Sequence, residues 1–267
     1  MVHVAETADV EHAPVEHDLS VDTRWLITGG GRGITAVVAL DLAKRFPGGS
    51  FVLTGRTALT HEDPLSIDLD AERARIKAAM KEAGDKVTPV TIGRALKPFE
   101  AQKEIAETLA ALQTAGAQSR YVAFDVSDAA STRKALGEIG HVDVVVHGAG
   151  LEDSHFLMDK NTDVFDRVFI TKVAGLIHLL DALTVNPRAV VAFTSVAGRY
   201  GNAGQVDYAA ANDALSRMLA ARSRAGDFQG IATDWGPWAD VGMATRGSIQ
   251  TVPVSYTHLT LPTILLV

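Results

Sequence analysis

Residues 25–35 read WLITGGGRGIT and decide the fold class of this 267-residue chain. The first four residues form an apolar run typical of a buried strand, four glycines follow within 29–33, and a helical pattern continues to about Phe46. A turn at 47–49 (PGG) ends this helix, and a second apolar run follows at 51–54 (FVLT). The order strand, glycine loop, helix, strand predicts a βαβ unit.

The glycines of this loop suit a site that holds a pyrophosphate. Backbone N–H groups must approach the phosphate oxygens closely, and the positive end of the helix dipole then faces their negative charge. An ordinary glycine-rich turn is the alternative, and the strand–loop–helix context favours the nucleotide site. The cofactor contacts predicted here are Thr28, Gly29, Gly30, Gly31, Arg32, Gly33 and Ile34.

Arg56 follows the second predicted strand, in the sequence LTGRT at 53–57. A dinucleotide site that selects NAD has an acidic residue near this point, whereas an arginine accommodates the 2′-phosphate of NADP. Arg56 therefore predicts NADPH as the cofactor, with a solvent-exposed arginine as the alternative. Arg32, in the glycine loop, offers a second phosphate contact.

The rest of the chain alternates strands with helices. Further apolar runs predict strands at 121–126, 142–146, 189–194 and 230–233. Helical patterns occupy 98–116, 128–139, 162–183 and 205–215; a charged helix at 70–83 lies in a surface insertion near 60–95, and a flexible loop is expected at 196–204. This alternation predicts an α/β fold, namely a Rossmann-like doubly wound parallel sheet with helices on both faces.

Candidate site residues fall where the predicted strands end. Because the carboxyl ends of parallel strands share one edge of the sheet, where ligands bind, we expect these residues to meet in one crevice. For Asp125, a cap on the following helix is an equally good explanation. Besides the glycine loop and Arg56, the predicted cofactor contacts are Asp125, Val126, His147, Gly148, Ala149, Gly150, Trp235, Gly236 and Pro237, with Ser195 as a catalytic candidate.

Two helices carry the remaining polar candidates. Tyr208 and Asn212 are four residues apart and flank three alanines, so they share one helical face that a flat ligand can approach. Lys172 lies within an otherwise apolar stretch of the 162–183 helix, where a charged group needs a partner or a function, unless it reaches solvent along its own stem.

Composition excludes several classes of function. The net charge of −7 argues against non-specific nucleic-acid binding, and no run of 18 apolar residues is present to cross a membrane. The chain has no cysteine, which excludes disulfides and thiolate chemistry and fits a cytoplasmic protein. Residues 1–20 are acidic and polar, so we expect a linker or tail; their histidines match no metal-ligand spacing.

These residues together resemble the short-chain dehydrogenase/reductase superfamily, and more narrowly the ketoreductase domains of type I polyketide synthases and polyunsaturated fatty acid synthases. Free-standing short-chain reductases usually have Tyr-x-x-x-Lys, whereas here Asn212 follows Tyr208 and the lysine is Lys172 on the other helix. That exchange resembles the synthase-embedded ketoreductases. The matching stretches are TGGGRGI at 28–34, LTGR at 53–56, HGAG at 147–150, TKVAG at 171–175, TSVAGRYGNAGQVDYAAAND at 194–213 and DWGPW at 234–238.

The resemblance implies an NADPH-dependent reduction of a β-ketoacyl thioester carried by an acyl carrier protein, inside a megasynthase with other domains. Tyr208 would donate the proton, Ser195 would hydrogen-bond the carbonyl oxygen, Lys172 would favour the phenolate and relay protons, and Asn212 would orient the relay. Lys172 and Tyr208 would also contact the cofactor. A free-standing reductase of a small ketone and a truncated, non-catalytic cofactor-binding module are the alternatives.

The chain departs from the family in four places. Thr35 replaces the last glycine of the usual loop pattern, and Leu151-Glu152-Asp153 together with Tyr200 leaves the hydroxyl stereochemistry open. Residues 253–267 carry no Lys, Arg, Asp or Glu and resemble non-native read-through, with a genuine final strand as the alternative. We therefore expect a ketoreductase domain at 21–252, truncated at its C-terminus, and a non-native tail after it.

Overall fold

The computed structural model describes residues 19–236 and a strand at 263–266. Its β-strands are β1 (Arg24–Thr28), β2 (Ser50–Gly55), β3 (Gln118–Ala123), β4 (Val144–His147), β5 (Ala189–Ser195), β6 (Gln229–Trp235) and β7 (Thr263–Leu266). Its helices are α1 (Gly33–Arg45), α2 (Leu69–Glu82), α3 (Pro89–Thr114), α4 (Ala129–Ile139), α5 (Thr162–Phe169), α6 (Gly175–Ala182), α7 (Ala197–Tyr200) and α8 (Val206–Arg224). Short 3₁₀ turns occupy Pro64–Ser66 and Leu157–Asp159, and a π turn (Ile170–Ala174) joins α5 to α6.

The strands form one sheet in the order β3-β2-β1-β4-β5-β6-β7. Strands β1 to β6 pair in parallel, and β7 pairs antiparallel with β6. From β1 the chain first winds outward to β2 and β3, and then returns to place β4 on the other side of β1. The predicted doubly wound α/β fold is confirmed, and its switch point lies between β1 and β4.

Two apolar clusters show that both faces of the sheet are covered. Trp25 and Ile27 of β1 pack with α1 and α3 on one face, whereas Leu26 packs with α4, α6 and α8 on the other. This alternation follows from the two-residue period of a strand. The sheet is therefore buried between two helical layers, and its carboxyl edge is left to form the site.

Helix α3 begins nine residues before the predicted start at Pro98. Thr88 caps it through a reciprocal pair of hydrogen bonds with Thr91, and Pro89 occupies its first turn. Both features are strong start signals, and Pro98 lies on an exposed side inside the helix. The prediction took the second proline of the segment as the start, although the first was the one preceded by a capping threonine.

Other elements differ from the predictions as well. Strand β3 ends at Ala123, so Asp125 lies beyond it and accepts a hydrogen bond from the N–H of Ser127. Residues 197–200 form a short helix inside the expected loop. The predicted helix at 162–183 contains the π turn, in which the Gly175 N–H bonds the carbonyl of Ile170, five residues back.

Several sequence predictions concern residues outside the described part of the chain. These are the linker at 1–20 up to residue 18, the cofactor contact Pro237, and most of the region after it. The last strand, β7, lies within the segment that we expected to be non-native, and its backbone pairs with Ile231–Asp234. The domain boundaries stay a prediction.

Candidate active site

A cleft of about 360 Å³ runs along the carboxyl edge of the sheet, across the switch point. Every strand from β1 to β6 contributes to it either directly or through the residues that follow. The predicted site residues that line this cleft are Gly29, Gly31, Arg32, Gly33, Ile34, Arg56, Asp125, Val126, Gly148, Ala149, Gly150, Lys172, Ser195, Tyr208, Trp235 and Gly236.

The floor of the cleft is a close contact between two glycine turns. A Cβ atom on Gly29 would lie 3.0 Å from the carbonyl oxygen of Gly148, and one on Gly31 would lie 2.8 Å from the Ile105 side chain. Gly29 and Gly33 also have positive φ angles of 70° and 64°. Side chains are thus excluded from this surface, which leaves the backbone open to a ligand.

The N-terminus of α1 faces the same space. Its cap residue, Arg32, forms no side-chain hydrogen bond to the helix, and the first turn has no acidic residue. The first N–H groups of the helix and its positive dipole end are therefore available to an anion. The described residues fit a pyrophosphate at this point.

Arginines lie at the end of the cleft next to β2. Arg56 is exposed and lines the cleft directly after β2. Arg32 pairs loosely with Glu104 of α3 at 3.5 Å. Tyr121 lies beside them, and burial raises its pKa to about 12 although the Arg32 charge opposes this. The phenol of Tyr121 is therefore neutral, and the positive charge at this end comes from the arginines.

Tyr208 lies in the first turns of α8 with its side chain against the cleft. Burial raises the pKa of its phenol, the polar side chains of Ser195 and Asn212 oppose the shift, and the charge of Glu152 adds to it. The phenol is accordingly protonated at neutral pH and can act as a proton donor.

Lys172 lies in the π turn, with its ammonium over the ring of Tyr208. Its side chain is 3% exposed, and its Nζ is 5.9 Å from the centre of the Tyr208 ring. The ammonium donates to the carbonyl oxygen of Phe193 at 2.6 Å. Burial lowers the pKa of Lys172 to about 8, so the group exchanges protons close to physiological pH.

Ser195 ends β5 and lines the cleft on the side of Trp235. Its Oγ accepts a hydrogen bond from the N–H of Ala197 at 3.2 Å. Since that bond uses a lone pair of the hydroxyl, its O–H remains able to donate into the cleft. Thr194, the preceding residue, is fixed by a 2.6 Å hydrogen bond to the buried Asp234.

Asn212 lies behind the cleft wall rather than on it. Its Nδ2 donates to the carbonyl of Tyr208 at 2.7 Å, and its Oδ1 is buried without a hydrogen-bond partner among the described residues. Gly198 permits this packing, because a Cβ there would lie 2.9 Å from Asn212 Cβ. Asn212 thus supports the helix that carries Tyr208 and keeps one acceptor free.

Three predicted cofactor contacts lie outside the cleft lining. Thr28 is buried at the end of β1, Gly30 is buried within the glycine loop, and His147 is 0% exposed. His147 bonds the Thr28 hydroxyl and the Lys172 carbonyl, each at 2.9 Å. The His147 ring therefore contacts the backbone of the catalytic candidate Lys172 from the protein interior. It does not face the space that a cofactor would occupy.

The cleft also contains polar residues that the sequence predictions did not assign to the site. Glu152 and Gln205 line it and belong to one network, in which Gln205 donates to Glu152 Oε1 at 3.3 Å and accepts from Asn202 at 2.8 Å. Ser154 joins both side chains. The sequence signal was the proximity of Glu152 to the glycine turn and of Gln205 to Tyr208, but neither was weighed as a contact.

Comparison with known proteins assigns this arrangement to a family. The profile of the KR domain family matches residues 23–240, which include every residue of the described cleft. This chain belongs to the KR domain family. The resemblance to ketoreductases of the short-chain dehydrogenase/reductase type is therefore confirmed, and with it an oxidoreductase that uses a nicotinamide cofactor.

The KR domain has relatives among very large synthases. It is 32% identical over 252 residues to a polyunsaturated fatty acid synthase chain of Thraustochytrium sp., covering 88% of this chain and 9% of that protein. It is 30% identical over 244 residues to the polyketide synthase PksL of Bacillus subtilis, covering 85% of this chain and 4% of that protein. The chain thus spans less than a tenth of the length of either relative.

Solved structures agree with the fold of the KR domain. A ketoreductase domain from the bacillaene assembly line is 27% identical, with a TM-score of 0.62 over 84% of this chain and 46% of that one. An A-type ketoreductase from a modular polyketide synthase is 25% identical, with a TM-score of 0.64 over 88% of this chain and 41% of that one. None of the helices in the described part of the KR domain is long and apolar enough to cross a membrane.

Proposed function

We propose that this KR domain reduces a β-ketoacyl thioester to the 3-hydroxyacyl thioester with NADPH, as one module of a polyketide or fatty acid megasynthase. The observation that carries the proposal is the convergence of Tyr208, Ser195 and Lys172 on a cleft whose other end is a glycine cradle. Proton donor, carbonyl ligand and cation share one space with the nucleotide site, as a ketone reduction requires.

The bound nicotinamide supplies the hydride, and the protein supplies position and charge. Tyr208 donates a proton to the ketone oxygen, because its phenol is protonated and faces the cleft. The hydroxyl of Ser195 donates to the same oxygen and stabilises the negative charge that develops there. Because its oxygen accepts from the Ala197 N–H, that hydroxyl stays directed away from the backbone.

Lys172 restores the proton that Tyr208 gives up. Its ammonium lies close to the ring, and its pKa of about 8 makes it protonated at neutral pH yet able to release a proton. Opposite charge nearby also favours the phenolate that remains after transfer. Asn212 orients this relay from behind the cleft wall, since its Nδ2 donates to the carbonyl of Tyr208 on the helix that carries the phenol.

Arg56 supports NADPH over NADH. It occupies the position after β2 where an acidic residue would bind the ribose hydroxyls of NAD, and it is exposed to the cleft. Arg32 adds a second positive charge from the glycine loop, although it shares that charge with Glu104.

The acyl carrier protein and the other synthase domains enter as partners of the proposal. The two relatives named above are synthases of which this chain matches a small part, and this supports a module rather than a free enzyme. Lys172 on the π turn with Asn212 on α8 supports the same choice over a free-standing reductase of small ketones. The absence of cysteine from the chain supports a cytoplasmic setting.

The direct test is NADPH oxidation by the purified chain with the N-acetylcysteamine thioester of a β-ketoacid, followed by absorbance at the NADPH band and by product analysis. We expect thioester-dependent oxidation and a 3-hydroxyacyl product. Cofactor binding without turnover would instead identify a non-catalytic module. Faster turnover of small ketones than of the thioester would favour the free-standing reductase.

A further inference from the structure

His147 has a set of contacts that the proposed reaction does not use. It ends β4, is 0% exposed, and lies between the end of β1 and the π turn. Its Nδ1 is 2.9 Å from the Thr28 hydroxyl, and its Nε2 is 2.9 Å from the carbonyl oxygen of Lys172. Because buried polar groups are nearly always hydrogen-bonded, we expect both ring nitrogens of His147 to form hydrogen bonds.

The hydrogen-bond directions around His147 are fixed by chemistry. A carbonyl oxygen only accepts, so Nε2 carries the ring proton and donates to Lys172. Burial and the charge of Lys172 lower the pKa of His147 to about 3, so the ring is neutral and Nδ1 is an acceptor. The Thr28 hydroxyl must then donate to Nδ1, and it accepts in turn from the Ala149 N–H at 3.2 Å.

These hydrogen bonds all run in one direction, from the turn that follows β4 to the π turn. At one end is Ala149, whose backbone lines the cleft, and at the other end is the backbone of Lys172. The side chain of Lys172 is held separately, because its Nζ donates to the carbonyl of Phe193 on β5. The residue is therefore held at two points, its main chain by β4 and its ammonium by β5.

We propose that His147 is a positioning residue: by donating from Nε2 to the Lys172 carbonyl, it holds the π turn against β4 and keeps the Lys172 ammonium beside Tyr208. The role rests on the proposed function, since it matters for catalysis only if Lys172 relays protons. Without the donor, the π turn can rotate, and Lys172 gains a path toward solvent.

Two substitutions distinguish the loss of the Nε2 hydrogen-bond donor from the loss of the imidazole ring itself. A glutamine places its amide near the position of Nε2 and can still donate to Lys172, whereas an asparagine reaches only to the position of Nδ1. His147→Gln is therefore expected to preserve the position of Lys172, and His147→Asn is expected to lose it. Both remain polar and buried, so they form a matched pair.

The first readout needs no turnover. Trace acetylation with acetic anhydride across a pH series, quantified on the Lys172 peptide by mass spectrometry, reports the apparent pKa of that amine. The titratable groups that face it are His147 and Tyr208, with Glu152 in the same cleft. We expect about 8 in the unsubstituted chain and in His147→Gln. In His147→Asn the value should rise toward that of an exposed lysine, because the amine becomes hydrated.

Turnover supplies the second readout. In His147→Asn we expect kcat to fall by about tenfold to a hundredfold with KM for the thioester nearly unchanged, and His147→Gln to restore most of it. Equal labelling curves in all three proteins, or a glutamine variant that behaves like the asparagine variant, would overturn the proposal. An unsubstituted chain that labels as expected but does not reduce the thioester would instead refute the proposed function alone.

A third measurement covers the case in which His147→Asn does not fold. Long-range ¹H–¹⁵N spectra of the unsubstituted chain identify the tautomer of each histidine, and the signal absent from His147→Gln is His147. We expect a neutral ring with the proton on Nε2 throughout the physiological pH range. A proton on Nδ1 would leave no donor for the Lys172 carbonyl and would refute the proposal.

Discussion

The ammonium of Lys160 lies 2.8 Å from the carboxylate of Asp207, and the two side chains are only 3% and 1% exposed. The same ammonium donates to the carbonyl of Asp153 at 2.6 Å, and Asp207 Oδ1 accepts from the N–H of Tyr208. This buried pair joins the segment before α5 to the first turn of α8, next to the residue that we propose as the proton donor.

Replacing Lys160 by methionine should destabilise the fold strongly. The change leaves the carboxylate of Asp207 buried without its cation, which typically costs about 3–5 kcal/mol of unfolding free energy. Urea unfolding measures the loss, and Asp41→Asn is the control because its pair with Arg45 is exposed and worth less than about 1 kcal/mol. If Lys160→Met and Asp41→Asn were equally mild, the pair would have no structural role.

Tyr208→Phe should remove thioester reduction while leaving cofactor binding intact. The phenylalanine keeps the ring but lacks the proton, and loss of a general acid commonly lowers the rate by about 10²–10⁴-fold. Steady-state kinetics and NADPH fluorescence titration give the two quantities. Asp213→Asn, on the same helix with a surface pair to Arg217, serves as the control and should retain full turnover.

Arg56→Ala should weaken NADPH binding much more than NADH binding. The guanidinium is expected to contact the 2′-phosphate, and a hydrogen bond to a charged group contributes about 1.5–3 kcal/mol, or roughly a tenfold to hundredfold change in Kd. The ratio of the two Kd values, measured by fluorescence, isolates this contact. An unchanged ratio would refute the assignment of Arg56.

The rate of reduction should fall as the pH rises through about 8, where Lys172 loses its proton. Below that pH the lysine is cationic and can supply a proton to Tyr208. Above it the lysine is neutral and has no proton to supply. The pKa of Tyr208 is raised, so the phenol stays protonated across this range and does not produce the fall. The measurement is kcat against pH at saturating substrates, with activity recovered after return to neutral pH as the control for denaturation.

Gly148→Ala should destabilise the protein because the added methyl group would meet the Thr35 hydroxyl and would lie 3.1 Å from the carbonyl of Thr28. Overpacking of this kind costs about 1–3 kcal/mol. Gly93→Ala is the matched control, since nothing lies within 4 Å of its Cβ position inside α3, and it should stabilise by about 0.5–1 kcal/mol. Urea unfolding gives the change in unfolding free energy for each variant. Changes of the same sign in the two variants would contradict this prediction.

Most of the fold could be predicted from local sequence patterns. The apolar runs, the glycine turn at 29–33 and the alternation of strands and helices were enough to predict the parallel sheet and the edge where the site lies. The start of α3 could have been predicted as well, because Thr88 and Pro89 are a cap and a first-turn proline in sequence. The catalytic candidates Tyr208, Ser195 and Lys172 all line one cleft, and their roles stay a prediction.

Contacts between distant segments could not be predicted in the same way. The pairing of Lys160 with Asp207 depends on how a segment before α5 meets α8, 47 residues later in the chain. His147 was predicted to contact the cofactor because it ends a strand, yet its ring turns inward to bond Lys172. The sequence position of a residue predicts that it lies at the carboxyl edge of the sheet. Its side-chain rotamer decides whether the side chain faces the cleft or the protein interior.

The π turn between α5 and α6 has a consequence for how the helix tolerates change. It contains one residue more than an α-helical turn would use, so α6 is rotated by about 100° relative to a straight continuation of α5. Deleting any one of the four other residues of 170–174 would allow a continuous α-helix, in which Lys172 would lie on a different side relative to α5 or α6. The number of residues in the π turn thus sets the side on which Lys172 lies. A regular α-helix here would place the lysine away from Tyr208, and we expect it to lower the rate of reduction.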